Sequence, residues 1–331
     1  HMKFSIDSYM NNLENFGIQS KNIKEAIQIL QNMFSFRLSD EEYDKNKSFP
    51  ENIEERKNIG STVLLSFTGF MMCTQLRQYF TYMAEHKLID GFSTTAYAIE
   101  VDIIQTILEK EPNSSHLLIN PNNKLLLFNF LDKIFSNVEK MQNYRMCPHR
   151  LLNYIGQHLP NSFLNACYKN NIQVFCPAIT DGLIGEFLAK SKHKIQIDLV
   201  ADIRAINTLV KYSAKLGTIV LGGGVSKHYI NRAALCNNRG ADYAVYINVA
   251  DEYDGSDTGA TPEEAVGCGK IDVDAQRVKI FADVGLVLPL IFQKTFVDAY
   301  ENNQDFYSKK SIINVQETYL DQLDKEDRKS T

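Results

Sequence analysis

The stretch from Gly240 to Lys270 holds the residues best suited to chemistry. It opens as GADYAVYIN, a β-branched and aromatic run that reads as a buried strand. It continues as VADEYDGSDTGATPEEAVGCGK, which has the composition of a loop. Asp251, Glu252, Asp254, Asp257, Glu263 and Glu264 gather negative charge there, and Gly267, Cys268 and Gly269 lead into Lys270. A strand feeding an acidic, glycine-punctuated loop suits a cationic ligand. Lys270 is then either the counter-charge of the acidic pocket or a nucleophile; the second role needs burial or cationic neighbours to lower its pKa. The plain alternative is a solvated acidic loop. Asp254, Ser256, Thr258 and Gly259 take positions one, three, five and six of a calcium loop, but position twelve is Ala265 and a strand precedes it instead of a helix, which excludes calcium.

A second constellation is Gly222-Gly223-Gly224 after an apolar run. A glycine-rich turn between strand and helix lets backbone amides approach a phosphate, although the spacing is not that of a dinucleotide fingerprint. Around these stretches the 331-residue chain is ordinary and globular, 44% hydrophobic and 23% charged. A net charge of -5 without a basic block argues against nucleic-acid binding and suits a polycationic small substrate. The six cysteines (73, 147, 167, 176, 236, 268) contain no CxxC pair, so zinc-ribbon and thioredoxin readings fall away, and no metal is expected. The absence of a visible secretory signal or a membrane-length apolar run gives a cytoplasmic expectation, with free thiols and no membrane partner.

The elements that must position these residues alternate. Residues 3–35 read as helical, with Ile23, Ala26, Ile27, Leu30 and Met33 at amphipathic spacing. Residues 38–60 read as a polar loop and a short helix. Strands are expected at 61–67, 89–95, 172–178, 218–221 and 278–282, besides the run after Gly240. Helices are expected at 71–86, 98–110, 125–141, 151–158, 162–168, 203–214, from 226, and at 288–300. Residues 111–150 are less regular, and the charged tail after Gln316 reads as frayed. The fold class is α/β: one mainly parallel, Rossmann-like sheet with helices on both faces and the site at the strand C-terminal ends. The units are a helical extension (1–60), the α/β domain (61–316) and the tail (317–331).

The motifs DYAVYIN, EYDGSDTGA, EEAV, GCGKIDVDAQ and VKIFAD, with VFCPAITDG and IVLGGGVSKHYI upstream, closely resemble deoxyhypusine synthases. The resemblance runs from about Val174 to Phe296 and more weakly back to about Ser61. It implies that NAD oxidises spermidine and that the aminobutyl part passes to an enzyme lysine as an imine. The group then moves to one lysine of the translation initiation factor 5A precursor and is reduced there. By the same resemblance Lys270 forms the imine, and His228 accepts a proton and contacts substrate. Gly255, Ser256, Asp257 and Glu264 hold the substrate amines. Glu186 stands where the family has Asp, and Cys268 where it has a tryptophan that packs on spermidine; Glu100 also belongs to the substrate set. Thr95, Ala96, Asp181, Gly223, Ala250 and Asp283 match cofactor contacts.

Apart from Glu186 and Cys268, the departures cluster on one side. Where the family has a Ser-Asn-Leu turn for cofactor phosphate, this chain has Gly69, Phe70 and Met71. Thr-Ala-Gly-Gly becomes Thr95-Ala96-Tyr97-Ala98, and the second of two acidic residues is Val101. The amino-terminal, cofactor half is eroded while the lysine half is kept. Family members place active sites between subunits of dimers that pair into tetramers. The resemblance therefore implies a synthase subunit working with a diverged paralogue, as a heterotetramer; the alternative is a regulatory or scaffolding paralogue that activates a competent subunit.

Overall fold

Among the described residues eight strands form: β1 (Thr62–Phe67), β2 (Gly91–Ser93), β3 (Arg145–Met146), β4 (Gln173–Phe175), β5 (Gln196–Ile197), β6 (Leu216–Leu221), β7 (Ala241–Asn248) and β8 (Ile271–Phe281). The computed structural model describes residues 5–45, 49–109, 120–140, 145–237 and 239–310. Six strands make one sheet in the order β4-β2-β1-β6-β7-β8, every pair parallel, while β3 and β5 form a separate two-residue ladder. The chain order reverses between β1 and β6, the switch point at which doubly wound sheets open a crevice.

Side chains alternate between two cores, as the period of a strand demands. Val63, Leu65, Phe67, Ile219, Leu221, Val245 and Ile247 face one; Leu64, Leu216, Val220, Ala244 and Tyr246 face the other. The first is covered by Ile18–Ser35, Leu76–Glu85, Ala96–Leu108 and Val284–Phe292, and the second by Leu199–Lys211 and Gly224–Ala234. Both faces are thus buried, which is why the central strands are almost wholly apolar. Among the described residues no helix is long and apolar enough to cross a membrane.

The helix Ile18–Ser35 buries Ile23, Ala26, Ile29, Leu30, Met33 and Phe34 in the first core. It sits so close over β6 that a Cβ on Gly217 would stand 2.6 Å from the Met33 sulfur. It also covers the sheet edge: Asn22 Nδ2 donates to the Lys279 carbonyl at 2.9 Å, and Phe281 N–H donates to Gln19 Oε1 at 2.7 Å.

Several boundaries differ from expectation. The helix expected from 71 is a 3-10 turn, Gly69–Cys73, and then Leu76–Glu85. Thr74 separates them: its hydroxyl donates to the Met71 carbonyl (2.7 Å) and accepts from Leu76 N–H (3.2 Å). The last strand begins at Ile271 rather than 278. It is an edge strand with a bulge opposite Ala241 to Tyr243, so its polar first half hides the strand pattern. The loop expected up to Lys270 contains a helix, Pro262–Gly267, with proline in its first turn. The final helix starts at Val284 and passes through a π turn, Gln293–Val297. The helix expected at 125–141 begins earlier, as Pro121–Lys140, and helix Leu183–Lys190 stands where none is expected. Residues 110–119 and 141–144, and the tail expected after Gln316, lie outside the described residues.

Candidate functional site

Two cavities open at the C-terminal end of the sheet. The first, about 540 Å3, is lined by Lys270, His228, Ser256, Asp257, Glu264 and Cys268, together with Lys227, Asn231 and Tyr246. Three elements deliver these groups. β6 ends in the glycine turn, where Gly222 and Gly224 take left-handed φ values of 82° and 70°, and the helix beginning at Gly224 presents Lys227, His228 and Asn231. β7 runs into the acidic loop and then helix Pro262–Gly267, which presents Glu264. Lys270 stands just before β8; its N–H donates to the Ala265 carbonyl at 2.9 Å and its carbonyl accepts from Ala241 N–H at 3.0 Å. The backbone that carries the lysine is therefore fixed between helix and sheet.

The acidic loop is held from inside by two lysines. Lys227 Nζ donates to the carbonyls of Asp257 (2.9 Å), Thr258 (3.0 Å) and Ala260 (3.0 Å). Lys279 Nζ donates to those of Ala250 (3.0 Å) and Gly259 (2.5 Å). Burial, followed by the neighbouring charge of Lys279, pulls the Lys227 ammonium down to about 8. With the carbonyls turned inward, the side chains of Asp251, Glu252, Asp254 and Asp257 are exposed. Asp257 itself takes a left-handed φ of 59°. The Ser256 hydroxyl donates to the Asp254 carboxylate. Gly255 lies on the exposed loop outside the cavity lining. Lys227 escaped the sequence reading, although a signal exists: Lys227, Ile230 and Ala234 share the buried face of their helix. A lysine on such a face needs partners.

The second cavity, about 450 Å3, lies at the switch point between Thr68 and Gly222 and is lined chiefly by apolar groups, including Phe70, Met71, Val249, Ala250 and Val284, with Asp283 among them. Asp283 occupies the cap position of helix Val284–Phe292 without a side-chain capping bond. Thr258 borders both cavities and packs on Gly223, where a Cβ would come within 2.1 Å of its methyl group.

Ala250 and Asp283 therefore line the second cavity, with Gly223 at the turn between the two. Thr95 and Ala96 begin helix Ala96–Leu108, beneath the Gly69 turn, and the buried Thr95 Oγ1 has no hydrogen-bond partner. Tyr97 closes on that turn: its ring would be 2.8 Å from a Cβ on Gly69, and its hydroxyl meets Cys73 Sγ at 3.4 Å. Phe70 points outward, 62% exposed. An apolar trough with one carboxylate at a helix start suits the ring and ribose parts of a dinucleotide, while the Thr95 hydroxyl lies outside its lining. Phe70 and Met71 supply no side-chain donors for its phosphates.

The remaining expected residues are not brought to the lysine cavity. Glu100 is buried beneath Gly182 and accepts the Ile184 N–H at 2.8 Å, serving the start of helix Leu183–Lys190. Burial pushes its carboxyl up to about 7, and the charge of Asp181 adds to this. Asp181 is exposed just before that helix. Glu186, on the same helix, is paired with Lys124 at 2.6 Å and with Lys190 at 2.5 Å.

The family model described as deoxyhypusine synthase matches residues 8–118 and 115–295. A deoxyhypusine synthase of Eremothecium gossypii is 35% identical over 88% of this chain and 87% of its own length. A homospermidine synthase of Senecio vulgaris is also 35% identical, over 85% of this chain and 83% of its own. A crystal structure of a candidate deoxyhypusine synthase from Entamoeba histolytica superposes with a TM-score of 0.69 at 32% identity, covering 89% of this chain and 94% of that one. With a family match across most of its length and the switch-point sheet in common, this chain belongs to the deoxyhypusine synthase family.

Proposed function

We propose that this chain is a subunit of a deoxyhypusine synthase that passes the aminobutyl group of spermidine, through an imine on Lys270, to a lysine of the translation initiation factor 5A precursor. The observation that carries this reading is the convergence of Lys270, His228, Asp257 and Glu264 on one cavity beside the switch-point trough. Asp257 and Glu264 suit ammonium ends through charge-assisted hydrogen bonds. His228 is in position to take the proton that an attacking amine must lose. Lys270 supplies the amine that holds the carbon chain between donor and acceptor. NAD in the neighbouring trough, against Ala250 and Asp283, would supply the hydride acceptor and later return the hydride.

Phe70 on the phosphate-side turn and Tyr97 closed on Gly69 are the reasons to place a diverged paralogue beside this chain, as a heterotetramer whose other subunit offers the better cofactor half. The same two residues support the second reading, a scaffold that activates a competent subunit. The acceptor is the finest part of the proposal, since one relative is named for homospermidine instead.

Spermidine-dependent NADH formation by the purified chain, alone and with its co-purifying partner, tests the scheme. Lys270→Ala in the active form is expected to lower turnover on the order of 10^3-fold or more and to abolish borohydride trapping of labelled spermidine on this subunit. Unchanged turnover would favour the scaffold. Full turnover by the chain alone would remove the need for a paralogue. Transfer to putrescine instead of the protein acceptor would overturn the assignment of the acceptor.

A further inference from the structure

Away from both cavities, three potential ligands are buried together: Cys147, His149 and Asp202, exposed by 0%, 6% and 2%. Cys147 precedes helix Pro148–Gln157, and Asp202 projects from helix Leu199–Lys211. His149 Nδ1 lies 3.3 Å from the Cys147 sulfur and 2.6 Å from Asp202 Oδ1, and the three donor atoms all fall within 4.8 Å of one another. Asp202 also accepts the His149 N–H, at 3.2 Å from each oxygen. That backbone bond joins the two helices by itself. It gives no reason for a thiol to face the same ring nitrogen.

We propose that Cys147, His149 and Asp202 form a three-ligand site for a divalent metal of the zinc class, with the fourth position left to water. Sulfur, imidazole and carboxylate are the donors zinc takes, and a tetrahedral ion would separate sulfur from nitrogen by about 3.5 Å and nitrogen from oxygen by about 3.3 Å. The sulfur–nitrogen distance already approaches this value. The nitrogen–oxygen pair widens by giving up its hydrogen bond. Charge balances as well, because a thiolate, a carboxylate and a dication sum to zero, the condition for burial. Binding converts the Cys147 thiol to a thiolate and releases its proton, while the imidazole carries its own proton on Nε2.

Cobalt(II) added to the metal-free full chain is the probe. One equivalent is expected to give a sulfur-to-cobalt charge-transfer band and tetrahedral visible bands, with one proton released, and zinc(II) should bleach them. The spectrum should persist in Cys236→Ser/Cys268→Ser, which removes the two thiols that are not fully buried, and vanish in Cys147→Ser. Should Cys147→Ser not fold, the wild-type spectrum and the double variant decide alone. No charge-transfer band in the wild type, its loss in the double variant, or its survival in Cys147→Ser overturns the site.

Discussion

Glu100 combines a carboxyl exposed by 1% with a carbonyl-like duty, accepting Ile184 N–H at the start of a helix. Its folded pKa of about 7 lies above the ordinary 4.5, so the folded chain keeps a proton that the unfolded chain releases between those values. The resulting stability is complete below about pH 4.5 and is lost as pH rises through 7. Glu100→Gln keeps an acceptor and removes the titration. The variant should therefore gain on the wild type between pH 5 and pH 8, by at most about 3 kcal/mol, in urea midpoints measured at both pH values. An equal gap at the two would refute the raised carboxyl. At this scale the grouping of Lys270, Asp257 and Glu264 at one cavity was legible because they are close in sequence as well as in space. Glu100 and Glu186 were matched by position in the chain, but the fold turns them to helix capping and to ion pairs with Lys124 and Lys190. Cys147, His149 and Asp202 gave no signal, because packing and not spacing brings the aspartate to the other two.

The acidic loop is the element on which the proposed chemistry depends, and its order comes from the lysines beneath it. Lys227 replaces water at three carbonyls, and charged donors are worth about 1.5–3 kcal/mol each when buried and aligned. Lys227→Met should speed hydrogen exchange across residues 254–260 on the order of 10- to 100-fold, with exchange in β6 unchanged. Protection that survives the substitution would mean that Lys279 and Asn248 suffice as anchors. Among the strands, β1, β6 and β7 could be read directly because both faces are buried, which leaves uninterrupted apolar runs. β8 could not, since the Asp272 to Gln276 stretch of an edge strand alternates with solvent and bulges. Helix Pro262–Gly267 is too short to develop a period and so was taken for loop.

Over the whole molecule, the α/β class and the mainly parallel sheet with helices on both faces were legible from alternating strand and helix signals, whereas the strand order was not. The depth at which the first helices sit was not, because amphipathic spacing shows that a face is covered without showing what covers it. Leu30 is 1% exposed in the same core as β6 and β7. Leu30→Ala should cost about 2–5 kcal/mol in global denaturant unfolding. A shift confined to the amino-terminal residues, with the sheet's midpoint unmoved, would mark the helix as an appendage.

The pairing of β1 with β6 also sets the order in which the chain can mature. β1 pairs with β2, and β2 with β4, within residues 62–175, but the other edge of β1 waits for Leu216–Leu221. At a synthesis rate of roughly 5–20 residues per second, the hydrogen-bonding edge of the largely apolar strand β1 stays without its neighbour for seconds after β4 is synthesised. The strand order therefore sets an interval, between synthesis of the fourth and sixth strands, in which a factor that covers unpaired edges would act on this chain.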